Sequence, residues 1–166
     1  MEVVCLPRWI LALPKEAAVL TVASLPIFEL RGAIPVGIAL GLPYLKVYIL
    51  SLIGNMAPVV PLLFIFKYFF HKLEKIKFLG RFLKWWFRRV EKKSKIVQKW
   101  GYWGLILFVA IPLPVTGAWT GTVAATLLEL RARKSFLAIF AGVAIAGVIV
   151  SLVVSGVIAL GFFVKQ

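Results

Sequence analysis

The strongest candidates for chemistry are Glu29 and Arg31, the only charged residues between Glu16 and Lys46. The uncharged residues 17–28 before them would form about 18 Å of helix, which reaches only to the middle of a hydrocarbon core of about 30 Å. An ionisable residue at that depth costs about 2.5–3.5 kcal/mol on insertion scales, so it indicates a functional site by default. The alternative is an ion pair that only locks the local structure.

These charges predict a proton-coupled site for an anion. Burial in lipid disfavours a charged carboxylate, whereas a nearby guanidinium favours it, so Glu29 is placed to take up and release a proton. Arg31 would attract a phosphate- or carboxylate-bearing solute. Helix N-termini are expected near Gly32 and Gly117, and each would add about half a positive charge.

Two segments rich in proline and glycine follow short apolar stretches. The first is Glu29 to Gly37, which contains Pro35, and the second is Pro112 to Gly121, which contains Pro114. Proline removes a backbone N–H and glycine permits unusual backbone angles, so both segments are expected to interrupt a helix and turn the chain back. Each would form a re-entrant hairpin. The alternative for residues 101–128 is one kinked spanning helix.

Polar residues beside these segments complete the predicted site. Asn55 lies within an apolar stretch, and Thr116 and Thr120 lie beside the second break. Such side chains either line a cavity or bond to backbone groups that the prolines leave unpaired. The predicted substrate- or ion-binding residues are Glu29, Arg31, Gly32, Pro35, Asn55, Pro112, Pro114, Thr116, Gly117 and Thr120. No metal or cofactor is expected, because one cysteine, one histidine and no aspartate provide no cluster of ligands.

The elements that position these residues are expected to lie in a membrane. Hydrophobic residues make up 62 % of the 166-residue chain, which is more than a soluble domain of this size buries. The segment beginning at Arg31 aligns with the one beginning at Thr116, which indicates an inverted repeat. The predicted fold is an all-α integral membrane protein with re-entrant hairpin 17–45, helix 46–68, a basic amphipathic helix 69–99, re-entrant hairpin 101–130 and helix 136–164.

The positive charge is concentrated between the two repeats. Residues 67–99 hold 12 of the 20 basic side chains, within a chain of net charge +14. This position next to a membrane segment favours anionic lipid and the cytoplasmic face of the plasma membrane over nucleic acid. Apolar residues at helical spacing predict that 69–99 lies in the headgroup layer, the alternative being a solvated basic helix.

The chain is also expected to form a homo-oligomer, since two spans and two hairpins shield a polar centre poorly. A stripe of small residues in the last helix would form a packing seam within or between subunits. The stripe consists of Gly147, Ser151, Ser155 and Ala159.

The chain resembles the small multidrug export family over about residues 17–160. The motifs that carry the resemblance are Glu29-x-Arg-Gly-Ala-Ile-Pro-x-Gly-Ile, Gly54-Asn55 with Pro58 and Pro61, Gly101-Tyr-Trp-Gly, and Ile111-Pro-Leu-Pro-x-Thr-Gly-Ala-Trp-Thr-Gly. That family is similar to the DedA superfamily, whose members are described as having two opposed re-entrant hairpins and moving lipid or lipid-linked substrates. The resemblance implies that Glu29 is the counterpart of the acidic residue in the first DedA hairpin. DedA proteins also carry arginines around the second hairpin, whereas Pro112–Gly121 has none.

The predicted function is a proton-coupled transporter of an amphiphilic or lipid-linked, anionic solute. Two alternatives are a lipid scramblase that needs no gradient and a membrane assembly factor that transports nothing. An enzyme is not expected, because no serine or cysteine stands in a motif with a base, and His71 lies in the basic segment.

Overall fold

The computed structural model describes residue 10 and residues 12–65, 95–112 and 116–164, with side chains up to residue 157. Within these residues the regular structure is entirely helical, which confirms the predicted all-α class. The helices are α1 (Lys15–Ser24), α2 (Glu29–Ala39), α3 (Tyr44–Met56), α4 (Lys95–Ala110), α5 (Ala118–Leu127) and α6 (Ala132–Val164). Most of the predicted basic helix 69–99 lies outside the described residues, as does Pro114.

The chain forms two compact units. The first comprises the residues up to Asn55 together with those from Ala144 onward, and the second comprises Met56–Val143. Helices α1 and α2 belong to the first unit, and α4 and α5 belong to the second. Each unit therefore contains one pair of short helices and parts of the long ones.

In the first unit, α1 and α2 contact each other and form hairpin 1, joined by a turn at residues 25–28. The two arms contain 10 and 11 residues. At the helical rise they measure about 15 and 17 Å, so each arm is about half as long as a hydrocarbon core of about 30 Å is thick. Buried Val19 and Val22 of α1 pack in one apolar cluster with Ala33 of α2.

The two ends of hairpin 1 are joined by an ion pair. Lys46 Nζ donates to Glu16 Oε1 at 2.7 Å, and both side chains are exposed. This hydrogen bond lowers the pKa of the Glu16 carboxyl below its usual value. Because Glu16 lies at the start of α1 and Lys46 at the start of α3, the intervening segment leaves and returns to the same place.

The returning arms of both hairpins stop in the same way, with a Schellman motif. Just after α2, Gly41 has φ of 77°, and the N–H of Leu42 donates to the carbonyl oxygen of Gly37 at 3.1 Å. Just after α5, Glu129 has φ of 51°, and the equivalent bond, from the N–H of Leu130 to the carbonyl oxygen of Ala125, is 2.9 Å. A long apolar helix follows each stop, so the order of elements repeats along the chain.

In the second unit, α4 is divided by Gly101, whose φ of 56° and ψ of −126° favour glycine. The chain folds back so closely there that a Cβ at Gly104 would overlap the carbonyl oxygen of Ile96. Residues 102–110 then form the first arm of hairpin 2, and α5, which contacts α4, forms the second. The first arm measures about 14 Å, which again is too short to cross.

The ends of hairpin 2 also lie together. The backbone N–H of Arg131 donates to the Tyr102 hydroxyl at 3.1 Å, and Lys134 Nζ lies 5.7 Å from the centroid of the Tyr102 ring. The segment between Tyr102 and Arg131 therefore starts and finishes at one place. A single straight helix over these residues would separate them by about 40 Å.

Among the residues that the structure describes, two helices are long and apolar enough to cross a membrane. They are Tyr44–Ile65, with 22 residues, and Ala132–Val157, with 26, called here the first and second span. In the most apolar stretch of each helix only 33 % of the residues are buried, whereas the core helix of a soluble protein is mostly buried. Large apolar side chains are exposed along both, including Ile49, Ile53 and Leu152. The two predicted spanning segments are confirmed in length and composition.

The predicted break between Glu29 and Gly37 is wrong. Helix α2 is continuous through this segment, with Pro35 inside it, and begins at Glu29 instead of near Gly32. The chain turns earlier, because Leu25 precedes a proline and has an extended backbone, with φ of −76° and ψ of 136°. Pro35 removes only one N–H from the helix, and the burial of neighbouring residues offsets that loss.

Candidate functional site

Glu29 lies at the tip of hairpin 1, as the first residue of α2. It is only 8 % exposed, and its φ is 49°, in the left-handed region. That conformation costs a residue with a Cβ about 1–2 kcal/mol, and such strain concentrates at functional sites. A buried carboxylate with a strained backbone at the end of a short hairpin is therefore the centre of the candidate site.

Arg31 lies two residues further into the same helix, is half-buried and interacts electrostatically with Glu29. Two residues separated by one position do not face each other on a regular helix. The left-handed φ of Glu29 breaks that regularity. Both charges lie in the first turn of α2 with Gly32, where the partial positive charge of the helix N-terminus favours an anion.

The tip of hairpin 1 is bonded to the first span through Ser24 and Gly54. Pro58 has no N–H to donate to the carbonyl oxygen of Gly54, four residues earlier. The Ser24 hydroxyl lies 2.9 Å from that oxygen and 2.8 Å from the carbonyl oxygen of Leu20, and its one proton is shared between them. A side chain of the hairpin thus replaces the helical hydrogen bond that Pro58 removes.

The backbones of α1 and α3 touch at the same point. A Cβ on Gly54 would lie 2.6 Å from the carbonyl oxygen of Leu20 and 2.8 Å from Ala23 Cβ. Further along, a Cβ on Gly37 of α2 would lie 2.7 Å from both methyl groups of Val47. These glycines let α3 lie directly against both arms of hairpin 1.

Two buried polar side chains lie on α3 beside this contact. Asn55 is 2 % exposed and Ser51 is fully buried. Within the part of the chain that the structure describes, Asn55 Oδ1 and Ser51 Oγ have no hydrogen-bond partner. They lie one helical turn apart, and each unpaired oxygen costs about 1–3 kcal/mol. Such a pair inside an apolar helix indicates a polar binding surface.

Asn55 is among the predicted site residues, whereas Ser51 is not. The sequence feature that could have identified Ser51 is its position four residues before Asn55, in a stretch without charged residues. A serine in a helix commonly bonds to its own backbone, as Thr21 does here with the carbonyl oxygen of Ala17 at 2.7 Å. Only the packing of α3 shows that Ser51 is both buried and unpaired.

The threonines of hairpin 2 bond to their own loop and helix. Thr116 donates to the carbonyl oxygen of Ile111 at 2.9 Å, and Thr120 donates to that of Gly117 at 3.3 Å. Both residues are buried. These bonds match the alternative of local satisfaction, in which threonine hydroxyls bond to backbone carbonyls around the break.

The predicted site residues therefore fall into two groups. The first unit holds Glu29, Arg31, Gly32, Pro35 and Asn55. The second unit holds Pro112, Thr116, Gly117 and Thr120. Among the described residues, no three histidine, cysteine or acidic side chains come together in a way that could hold a metal ion.

Removing the hydroxyl of Ser24 is expected to loosen hairpin 1 from the first span. Ser24→Ala leaves the Gly54 carbonyl oxygen without its donor, and we expect the free energy of unfolding to fall by about 1–3 kcal/mol. Ser24→Thr should restore most of it. Thermal unfolding of the purified protein in detergent measures the effect.

Thr21→Ala is the matched control for this variant. Thr21 lies on the same helix and makes the same bond to a carbonyl oxygen four residues earlier, and this bond stays within α1. The free energy of unfolding of Thr21→Ala should lie within about 0.5 kcal/mol of the wild-type value. Equal losses in Ser24→Ala and Thr21→Ala would show that the bond to Gly54 contributes nothing.

Comparison with known proteins assigns most of the chain to a family. Residues 29–149 match the family described as Putative small multi-drug export protein. The matched range begins at Glu29, includes all of α3 and hairpin 2, and ends within α6. No curated protein and no solved structure matches the chain.

Proposed function

Because the chain belongs to the small multidrug export family, we propose that it is a membrane transporter for an amphiphilic, anionic solute. The observation that carries this proposal is the tip of hairpin 1. It holds a buried carboxylate and a half-buried guanidinium. The first span, which is bonded to the same hairpin through Ser24, carries two buried oxygens that have no hydrogen-bond partner in the described residues. In an apolar protein such groups are retained for a ligand or an ion, since each one opposes insertion.

Each group at the tip has a distinct proposed role. Arg31 binds the anionic group of the solute, and the partial positive charge at the N-terminus of α2 favours that anion. Ser51 and Asn55 accept hydrogen bonds from its polar part, because both oxygens are available as acceptors. The apolar part of the solute contacts lipid-facing side chains such as Ile27, which is 86 % exposed at the turn.

Glu29 is proposed to couple transport to protons. While it is charged, it competes with the solute for Arg31, with which it interacts. Protonation of Glu29 releases Arg31 to bind the anion, and loss of the proton on the other side of the membrane displaces the solute. Each cycle then moves one proton with each bound anion.

We further propose that both hairpins are re-entrant and enter from opposite sides, as an inverted repeat. The support is that each hairpin has arms too short to cross and ends joined by a polar contact, Glu16 with Lys46 and Tyr102 with Arg131. Each is followed by one candidate span. The basic segment 69–99 would then lie on the cytoplasmic side of the plasma membrane and bind anionic lipid. The relation to the DedA superfamily and a homo-oligomeric state remain predictions.

Labelling of single cysteines tests this topology. In a Cys5→Ser background, Leu13→Cys lies beside the ends of hairpin 1 and Glu129→Cys beside those of hairpin 2. Both positions are exposed. In intact cells an impermeant maleimide should label position 13 and should label position 129 only after the membrane is opened. The unmodified Cys5→Ser protein controls for background. Labelling of both positions from the same side would contradict the inverted arrangement.

Reconstitution tests the function itself. Purified protein in vesicles is given a fluorescent fatty-acid analogue, a cationic dye or a fluorescent phospholipid, with and without an imposed pH gradient. A transporter moves the anionic probe faster when the gradient is present. Equal phospholipid movement with and without the gradient would indicate a scramblase. If no probe moved, transport of these solutes would be refuted, and the role of a membrane assembly factor would be the remaining alternative.

A further inference from the structure

The second unit contains an open apolar groove that the candidate site does not use. It has a volume of about 360 Å³ and lies between the last turns of the first span and the first turns of α6. Its apolar walls are Val60, Leu63, Phe64, Phe136 and Leu137. One charged side chain, Arg133, also lines it.

The charge around the groove is positive on the side of α6. Arg131, Arg133 and Lys134 fall within four residues and are exposed, and the first turn of α6 contains no acidic residue. Cations at a helix N-terminus are unfavourable, because the partial charge there is also positive. A bound anion would neutralise both the side chains and the helix end.

Tyr102 holds part of this cluster in place. Its hydroxyl accepts the backbone N–H of Arg131, and its ring lies under Lys134. Arg133 lies between these two residues in sequence and borders the groove. The cationic group is therefore positioned at the edge of an apolar cleft, on a helix long enough to cross the membrane.

We propose that this groove binds one acyl chain of an anionic phospholipid, with its phosphate on Arg133 and the N-terminus of α6. The apolar walls match a hydrocarbon chain, and the single charged side chain matches a phosphate. The site would select anionic over zwitterionic lipid. It does not depend on the transport proposed above, and it stands if that transport fails.

Quenching of a label in the groove by brominated lipid tests the proposal. Leu137→Cys in the Cys5→Ser background carries a bimane fluorophore, and the full chain is placed in vesicles of phosphatidylcholine containing brominated phosphatidylglycerol or brominated phosphatidylcholine. We expect the anionic lipid to bind about fivefold more strongly, as one interfacial cation provides. Arg133→Gln should abolish this preference, and added salt should reduce it.

Two controls make the result specific. Arg131→Gln removes the same charge from a residue that does not line the groove, and should keep most of the preference. A label at Leu152, which is 68 % exposed on the second span, should be quenched equally by both lipids. Equal quenching at position 137 would overturn the proposal, as would a preference that survives Arg133→Gln. Absence of quenching by either lipid would also overturn it, because protein, from this chain or a second copy, would then cover the groove.

Discussion

Replacing Glu29 by glutamine is expected to remove the response of transport to a pH gradient and to reduce gradient-driven uptake to the level of protein-free vesicles. Glutamine keeps the size and hydrogen-bonding shape of the side chain but cannot take up or release a proton. Its amide does not compete as a charge for Arg31, so solute binding should persist while coupling is lost. Uptake of the anionic probe in vesicles, with and without the gradient, measures the coupling, and equilibrium binding of the probe to the purified protein measures the binding.

Glu16→Gln is the matched control for Glu29→Gln. Glu16 is also on hairpin 1, but it is exposed and paired with Lys46. An exposed ion pair contributes about 0–1 kcal/mol, so transport and coupling should stay close to wild type. A Glu29→Gln protein that still responds fully to the gradient would refute the coupling role. Equal loss in both variants would indicate a general effect of charge on the hairpin.

Gly54→Ala is expected to separate hairpin 1 from the first span. The added methyl group would lie 2.6 Å from the carbonyl oxygen of Leu20, which is backbone and cannot rotate away. Overpacking of this kind costs about 1–3 kcal/mol, whereas alanine gains only about 1 kcal/mol over glycine in helix propensity. We expect a lower yield of folded protein, a lower melting temperature and loss of transport.

Gly156→Ala tests whether alanine for glycine is harmful in itself. Among the described residues, no atom lies within 4 Å of a Cβ at Gly156, which is also inside a long apolar helix. This variant should be as stable as the wild type or slightly more stable. If Gly54→Ala proved as stable as Gly156→Ala, the close contact between α1 and α3 would be refuted.

The spans were predictable from sequence, whereas the exact turn of hairpin 1 was not. Length and apolar composition are local properties, so the long apolar stretches identify both spans directly. Pro35 misleads because packing against neighbouring helices overrides the local cost of a proline. The true end of α1 is signalled by Pro26, since the residue before a proline avoids helical angles.

The details of the candidate site depend on contacts between elements. Glu29 and Arg31 are conspicuous in sequence because charges are rare in apolar segments. The bond from Ser24 to the Gly54 carbonyl joins residues 30 positions apart, and no local pattern contains it. Ser51 likewise becomes a candidate binding residue only through its burial, since serine occurs in many helices without any binding role.

The central claim is that the tip of hairpin 1 lies inside the membrane without crossing it, and the depth of Ile27 tests this most directly. Ile27 is exposed at the turn, so a nitroxide attached to Ile27→Cys in the Cys5→Ser background should not disturb packing. In vesicles, the accessibility of the label to oxygen relative to a water-soluble nickel chelate reports depth. We predict a position near the bilayer centre, well below a label at Leu13. A label at headgroup depth, or in water on the face opposite Leu13, would contradict the account.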